Sequence, residues 1–206
     1  MLDVPQTGAA LVRRACVEQL PMTWLIANDL PALTSYEELA EDFADLPVLA
    51  FVRNPWDWYA TWYRVMTDPS ARRSGAIWES AFGSGRSDFR TVVTRACTGK
   101  GFESPITGEI MRERGIDHYS ALHVRVLGAG LEAGAVEIGR WEALADDFAA
   151  FCARHDVRLP DQLEATLRDA AASVAVEPYR ELYDEELREL VGDKARAIVE
   201  GFGYRF

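Results

Sequence analysis

Arg53 closes the apolar run Pro47-Val48-Leu49-Ala50-Phe51-Val52, and Thr61 follows it by eight residues. A continuous apolar run of this kind suits a parallel strand covered on both faces, and Pro55 suits the first turn of a following helix. A cation and a hydroxyl then sit at the carboxyl edge of a sheet, where open α/β sheets bind ligands. Arginine brings a fork of donors matched to phosphate, and threonine adds a neutral donor. The competing structural role is an Arg53–Asp57 pair at the helix start. A second candidate is Pro5-Gln6-Thr7-Gly8-Ala9-Ala10, a glycine turn between a short apolar start and a helix. Such a turn offers backbone N–H groups and the positive helix end to an anion, and it also serves as plain punctuation.

The elements around these two segments alternate. Leu2-Asp3-Val4 is too short for an ordinary strand, and it is expected to be a central one beside the strand over 47–53. A helix is expected over 9–20 and a strand over 22–27. A second helix runs to Phe43, capped by Thr34 or Ser35, with Glu38 placed as in a capping box. Helix 56–66 follows, then a loop over 67–87 rich in Gly, Ser and Arg. A helix from Ser87 or Asp88 to Cys97 and a loop over 98–108 come next. Beyond them lie a strand over 135–141, helices over 143–154 and from Pro160, and one long charged helix over 179–202. Strands alternating with helices imply a parallel α/β sheet.

Composition narrows the function. At 206 residues and 49% hydrophobic, the chain has the size of one domain with a sizeable core. The net charge of −11 argues against a nucleic-acid binder, which needs clustered cations. The imbalance is uneven, with −2 over residues 1–100 and −9 over 101–206, so an anionic ligand fits the first half better. There the stretch 70–100 is locally basic through Arg72, Arg73, Arg86, Arg90, Arg95 and Lys100, a pattern that also describes a solvated face. Lys100 and Lys194 are the two lysines. Cys16, Cys97 and Cys152 are widely spaced and form no metal or disulfide pattern, and no metal site is expected. With no signal-like opening and no run of about 18 apolar residues, the expected location is the cytoplasm.

Phe51-Val52-Arg53-Asn54-Pro55-Trp56-Asp57, followed by Thr61-Trp62-Tyr63, closely resembles the 3′-phosphate-binding segment of sulfotransferases that use 3′-phosphoadenosine-5′-phosphosulfate (PAPS). The resemblance is to the carbohydrate-type branch and its bacterial relatives. Val4-Pro5-Gln6-Thr7-Gly8 is similar to that family's 5′-phosphosulfate loop, Pro-Lys-Thr-Gly. Gly139-Arg140-Trp141-Glu142-Ala143-Leu144, with Asp147-Phe148, resembles a third block. Tyr179-Arg180, Tyr183-Asp184 and the tail Phe202-Gly203-Tyr204-Arg205-Phe206 resemble the family's C-terminal helix and tail. The resemblance implies one domain over 1–206 with a P-loop-like three-layer α/β fold, a central mainly parallel sheet flanked by helices. It implies PAPS as co-substrate, with Arg53 and Thr61 on the 3′-phosphate. Pro5, Gln6, Thr7, Gly8, Ala9 and Ala10 would hold the 5′ end. The implied reaction moves a sulfuryl group to a hydroxyl or amine of a small-molecule or carbohydrate acceptor, selected by the loops at 67–87 and 98–133.

The sequence departs from that pattern where the chemistry would lie. Gln6 stands where the family has the lysine that neutralises the leaving phosphate, and Ala10-Leu11 stands where it has two hydroxyl residues. The stretch 32–39 carries neither the Lys nor the His that many relatives place before the arginine segment. The base is unassigned: Glu18, Asp29, Glu37 and Glu38 are candidates that also read as surface charge. Arg13 and Arg14 are candidates for the missing positive charge, although their periodicity faces them to solvent. His118 and His123 flank a possible helix without a metal-ligand pattern. Two functions therefore stand open: a sulfotransferase with a rebuilt 5′ site, and a degenerate relative acting as a nucleotide-binding or structural module. A kinase is disfavoured, since no Gly-Lys-Ser/Thr follows the turn.

Overall fold

The computed structural model describes residues 1–19, 33–43, 45–68, 87–173 and 178–206, and the strand expected over 22–27 and most of the loop over 67–87 lie outside them. The described chain is mixed α/β and mostly helical, with a two-stranded parallel sheet. It divides into two compact units, residues 1–53 with 126–175, and residues 54–125 with 176–206.

In the first unit, helix α1 (Ala9–Gln19) and helix α2 (Tyr36–Phe43) precede strand β1 (Val48–Val52). The capping box before α2 forms as its sequence requires: Ser35 N–H donates to Glu38 Oε2 at 2.7 Å, and Glu38 N–H to Ser35 Oγ at 3.3 Å. All five β1 residues are buried, as the unbroken apolar run demands. Strand β2 (Val136–Arg140) pairs parallel to β1, from Val48 opposite Val136 to Val52 opposite Arg140. A 3-10 turn (Trp141–Ala143) leads into helix α7 (Leu144–Arg154), and helix α8 (Asp161–Ser173) packs on α7 and α1. The core of this unit is built from Val12, Cys16, Leu49, Phe51, Leu144, Phe148, Cys152, Leu163 and Leu167.

The expected strand at the chain start does not form. Residues 1–4 make one ladder-like bond, Leu2 N–H to the Leu49 carbonyl at 3.0 Å, before Pro5 removes a donor and Gln6 turns to φ +64°. Leu2 and Val4 are nevertheless buried, so the apolar start serves packing.

The second unit opens with helix α3 (Pro55–Thr67), whose N-cap is Asn54. The Asn54 Oδ1 accepts from Trp56 N–H at 3.0 Å, while its Nδ2 donates to the Arg205 carbonyl at 3.0 Å, tying the tail to the cap. Helix α4 (Phe89–Thr98) starts at an Asp88 cap and ends at Gly99 in the left-handed region. Helix α5 (Gly108–Arg114) follows, and helix α6 (His118–Glu132) contains both His118 and His123, which therefore do not flank a helix. The single long helix expected over 179–202 is broken into a 3-10 turn (Tyr179–Leu182), helix α9 (Glu185–Lys194) and helix α10 (Arg196–Phe202). Asp184 causes the first break, because its side chain accepts from Leu187 N–H and caps a new helix. Tyr183 before it is extended and donates its hydroxyl to the Trp56 carbonyl at 2.8 Å. Among the described residues no helix is long and apolar enough to cross a membrane.

Candidate functional site

β1 leads into Arg53, and α1 begins just after the glycine turn; Arg53 and the turn both lie in the first unit. Arg53 Nη1 donates to the backbone carbonyl of Gln6 at 3.3 Å, across 47 residues of sequence. The arginine is 2% exposed. Its guanidinium carbon also lies 4.7 Å from the centroid of the Trp141 ring, a cation–π distance. The donor fork of this arginine thus sits beside the turn. The N-cap of α3 is Asn54, whose Oδ1 accepts from Trp56 and Asp57 N–H.

The turn itself is set by Gln6 at φ +64° and Gly8 at φ +104°. Ala9 and Ala10 open α1, so their N–H groups belong to the turn that finds no carbonyl within its own helix. Ala9 is buried and Ala10 is exposed. Thr7 is fully buried, and its hydroxyl donates to the Val4 carbonyl at 2.7 Å, which closes the turn from inside. Pro5 and Gln6 are half-buried. Gly8 lies under Trp141: a Cβ built there would fall 2.6 Å from the indole Cε3 and 2.8 Å from Leu144 Cδ1.

Positive charge near the turn is limited by pairing. Arg13 Nη2 lies 3.6 Å from Asp3 Oδ2, so its head is directed to that carboxylate. Burial raises the Asp3 carboxyl above its ordinary range, partly opposed by Arg13. The third sequence block is explained by position: Gly139 makes room for the Phe51 ring, and Asp147 Oδ2 accepts from Arg140 N–H at 2.6 Å. Leu144 and Phe148 enter the core, while Glu142 is exposed. An open groove of about 370 Å³ on this unit is lined by Leu49, Glu137, Gly139, Asp147 and Arg154 and by none of Gln6, Gly8 or Arg53.

Thr61 lies in the second unit, on α3. It is 7% exposed, and its hydroxyl oxygen makes no hydrogen bond among the described residues. The same holds for Ser120 Oγ and His123 Nε2. His123 Nδ1 meets the Tyr119 carbonyl at 3.0 Å, and His118 Nδ1 meets Thr107 Oγ1 at 2.7 Å. Burial lowers both imidazoles, to about 4 and about 3, so both are neutral at pH 7. Of the base candidates, Glu37 is exposed and Glu38 serves the capping box, while the side chains of Glu18 and Asp29 lie outside the described residues. The three cysteines are buried free thiols, with Cys16 pushed up to about 12 and Cys152 to about 11 by burial. Among the described residues no cluster of three His, Cys, Asp or Glu is placed to hold a metal ion.

Sequence alone does not single out Trp141, which touches both Arg53 and Gly8. The available signal was an aromatic directly after a strand end, next to an arginine-bearing strand. No family model matches this chain, and neither curated proteins nor solved structures provide a match.

Proposed function

We propose that the Arg53–glycine-turn site binds a nucleotide carrying a 3′-phosphate, and that the chain is a PAPS-dependent sulfotransferase. The observation that carries this reading is the Arg53 guanidinium, 2% exposed and 3.3 Å from the Gln6 carbonyl. Arg53 and the turn each suit an anion, and their contact supports one shared site. A bisphosphorylated nucleotide needs two anion sites a few ångströms apart, and an arginine fork beside a helix start provides that. In this reading Arg53 takes the 3′-phosphate, and the backbone from Gln6 to Ala10 takes the 5′ end. Within the second unit, the buried Thr61 hydroxyl, which makes no hydrogen bond among the described residues, is in keeping with a donor kept for a ligand. The parallel pairing of β1 and β2 is in keeping with a three-layer P-loop-like fold, which belongs to the same proposal.

A second reading, a nucleotide-binding module that has lost transfer, is favoured by two specific features. Gln6 cannot supply the charge that a leaving phosphate needs. The Thr7 hydroxyl hydrogen is committed to Val4 rather than to a ligand.

Titration calorimetry tests the binding claim with 3′-phosphoadenosine-5′-phosphate against adenosine 5′-phosphate. The expected result is preference for the first nucleotide, reduced in Arg53→Ala by about 1.5–3 kcal/mol, as for a lost charge-assisted hydrogen bond. Adenosine 5′-phosphate, lacking the 3′ group, is expected to be almost insensitive. Equal losses for both ligands would make Arg53 a structural residue.

A further inference from the structure

Trp141 touches both halves of the candidate site. Its indole presses on the bare Cα of Gly8, where an added Cβ would lie 2.6 Å from Cε3 and 2.9 Å from Cζ3. The Arg53 guanidinium carbon lies 4.7 Å from the same ring. We infer that Trp141 is a positioning residue that, seated on Gly8, holds the Arg53 guanidinium oriented to receive a 3′-phosphate. The inference rests on the reading of this site as a nucleotide phosphate site.

Three features support it. An arginine side chain loses much rotamer freedom when it binds, so a fork ordered beforehand meets a phosphate with less entropy left to lose. A planar aromatic face suits this task, because a guanidinium stacks on it with its edge N–H donors left in the plane, one of them meeting the Gln6 carbonyl at 3.3 Å. The seat is also fixed from its own side. Arg140, just before the tryptophan, is tied by its N–H to Asp147 Oδ2 at 2.6 Å, and Leu144 just after it is buried in the core. The ring is thus held at both ends of its short turn, and the residue beneath it has no side chain to displace it.

The test uses the full chain labelled with ¹⁵N and ¹³C, alone and with nucleotide, as wild type, Trp141→Phe and Trp141→Leu. In the ligand-free wild type, the Arg53 Hδ and Nε–H resonances are expected upfield of ordinary arginine values through the indole ring current. Trp141→Leu is expected to return them to ordinary values, and Trp141→Phe to retain part of the shift. Calorimetry on the same proteins is expected to show 3′-phosphoadenosine-5′-phosphate bound about tenfold more weakly by Trp141→Leu. Trp141→Phe is expected to stay within about threefold of wild type, and adenosine 5′-phosphate within about twofold in all three. Arg53 resonances that ignore residue 141 would overturn the inference, and so would unchanged binding when they do move. Should Trp141→Leu not fold, the wild-type resonances and Trp141→Phe decide, and an unshifted wild-type Arg53 overturns it. A wild type that does not discriminate the nucleotides, with Arg53 still following residue 141, overturns the nucleotide reading and the ligand half of the inference. The same result upholds the clamp itself.

Discussion

Tyr59 donates its phenolic hydrogen to Asp117 Oδ2 at 2.9 Å, with both residues fully buried. The second carboxylate oxygen accepts from Ser120 N–H at 2.9 Å, so Asp117 caps α6 while Tyr59 holds it from α3. Burial, then the adjacent Asp117, pushes the phenol well above its ordinary range, so it remains a donor at all working pH values. Tyr59→Phe keeps the ring and its T-shaped contact with Trp58 but deletes one of two donors to a buried carboxyl. The expected loss is about 1–3 kcal/mol of unfolding free energy, measured in urea at pH 7. An unchanged midpoint would mean that Asp117 does not need the phenol.

The two buried histidines set an acid limit on stability. Burial holds His118 near 3 and His123 near 4 in the folded chain, against 6.5 when exposed. Between those values the unfolded chain binds protons that the folded one refuses, so stability falls as pH falls. Each histidine should cost about 1.4 kcal/mol per pH unit in that window, or about 2 kcal/mol between pH 7 and pH 5. Asp117 acts in the opposite sense, since burial raises it and the native state gains its proton first on acidification. Urea midpoints at pH 7 and pH 5 measure the slope. His118→Asn should remove roughly half of it. A slope that survives replacement of both histidines would assign the acid sensitivity elsewhere.

Gly8 is the position in the turn least able to change. Its φ of +104° is one that side chains rarely adopt, and a methyl group there would enter the rigid Trp141 ring. Backbone strain and overpacking act together in Gly8→Ala, for an expected loss of about 2–4 kcal/mol. Thermal unfolding measures it. Full stability in Gly8→Ala would show that the indole moves aside without cost.

Much of this was legible where local chemistry decides structure. Ser35 with Glu38, Asn54 before Pro55, and Asp88 before Phe89 all mark helix starts through side chains that satisfy orphan N–H groups. The apolar run 48–52 could only be a buried strand. Helix α6 was less visible, because Gly128 and Gly130 lower its intrinsic propensity. Burial of Tyr119, Leu122, Val126 and Leu127 overrides that cost. The breaks in the C-terminal helices escaped notice because hydrophobic period carries no record of Asp184 folding back on Leu187 N–H. In the site, residue types pointed to Arg53 and the turn. The inward hydroxyl of Thr7 and the seat of Trp141 on Gly8 depend on contacts between distant segments, which no spacing rule encodes.

Gln6→Lys probes whether transfer can be restored. Sulfuryl transfer from PAPS builds negative charge on the bridging oxygen of the 5′-phosphate, and a cation there stabilises the transition state more than the ground state. Gln6 offers a dipole only, and Arg13, the nearest substitute in sequence, is directed to Asp3 at 3.6 Å. The backbone at residue 6 already sits at φ +64°, so lysine meets the same strain as glutamine. The Gln6 carbonyl is 3.3 Å from Arg53 Nη1, so a second cation at this turn should lower the stability of the ligand-free protein slightly through like-charge repulsion. Removing one electrostatic donor from such a site typically costs about 2.7–4 kcal/mol, and restoring one is expected to recover part of that. The assay follows hydrolysis of labelled PAPS, or its transfer to phenols, sugars and amines, in wild type and variant. Faster turnover in Gln6→Lys is the expected outcome. Brisk wild-type turnover that drops on adding the lysine would mean a site rebuilt around glutamine. No turnover by either protein, with 3′-phosphorylated nucleotide still bound tightly, would select the binding module over the enzyme.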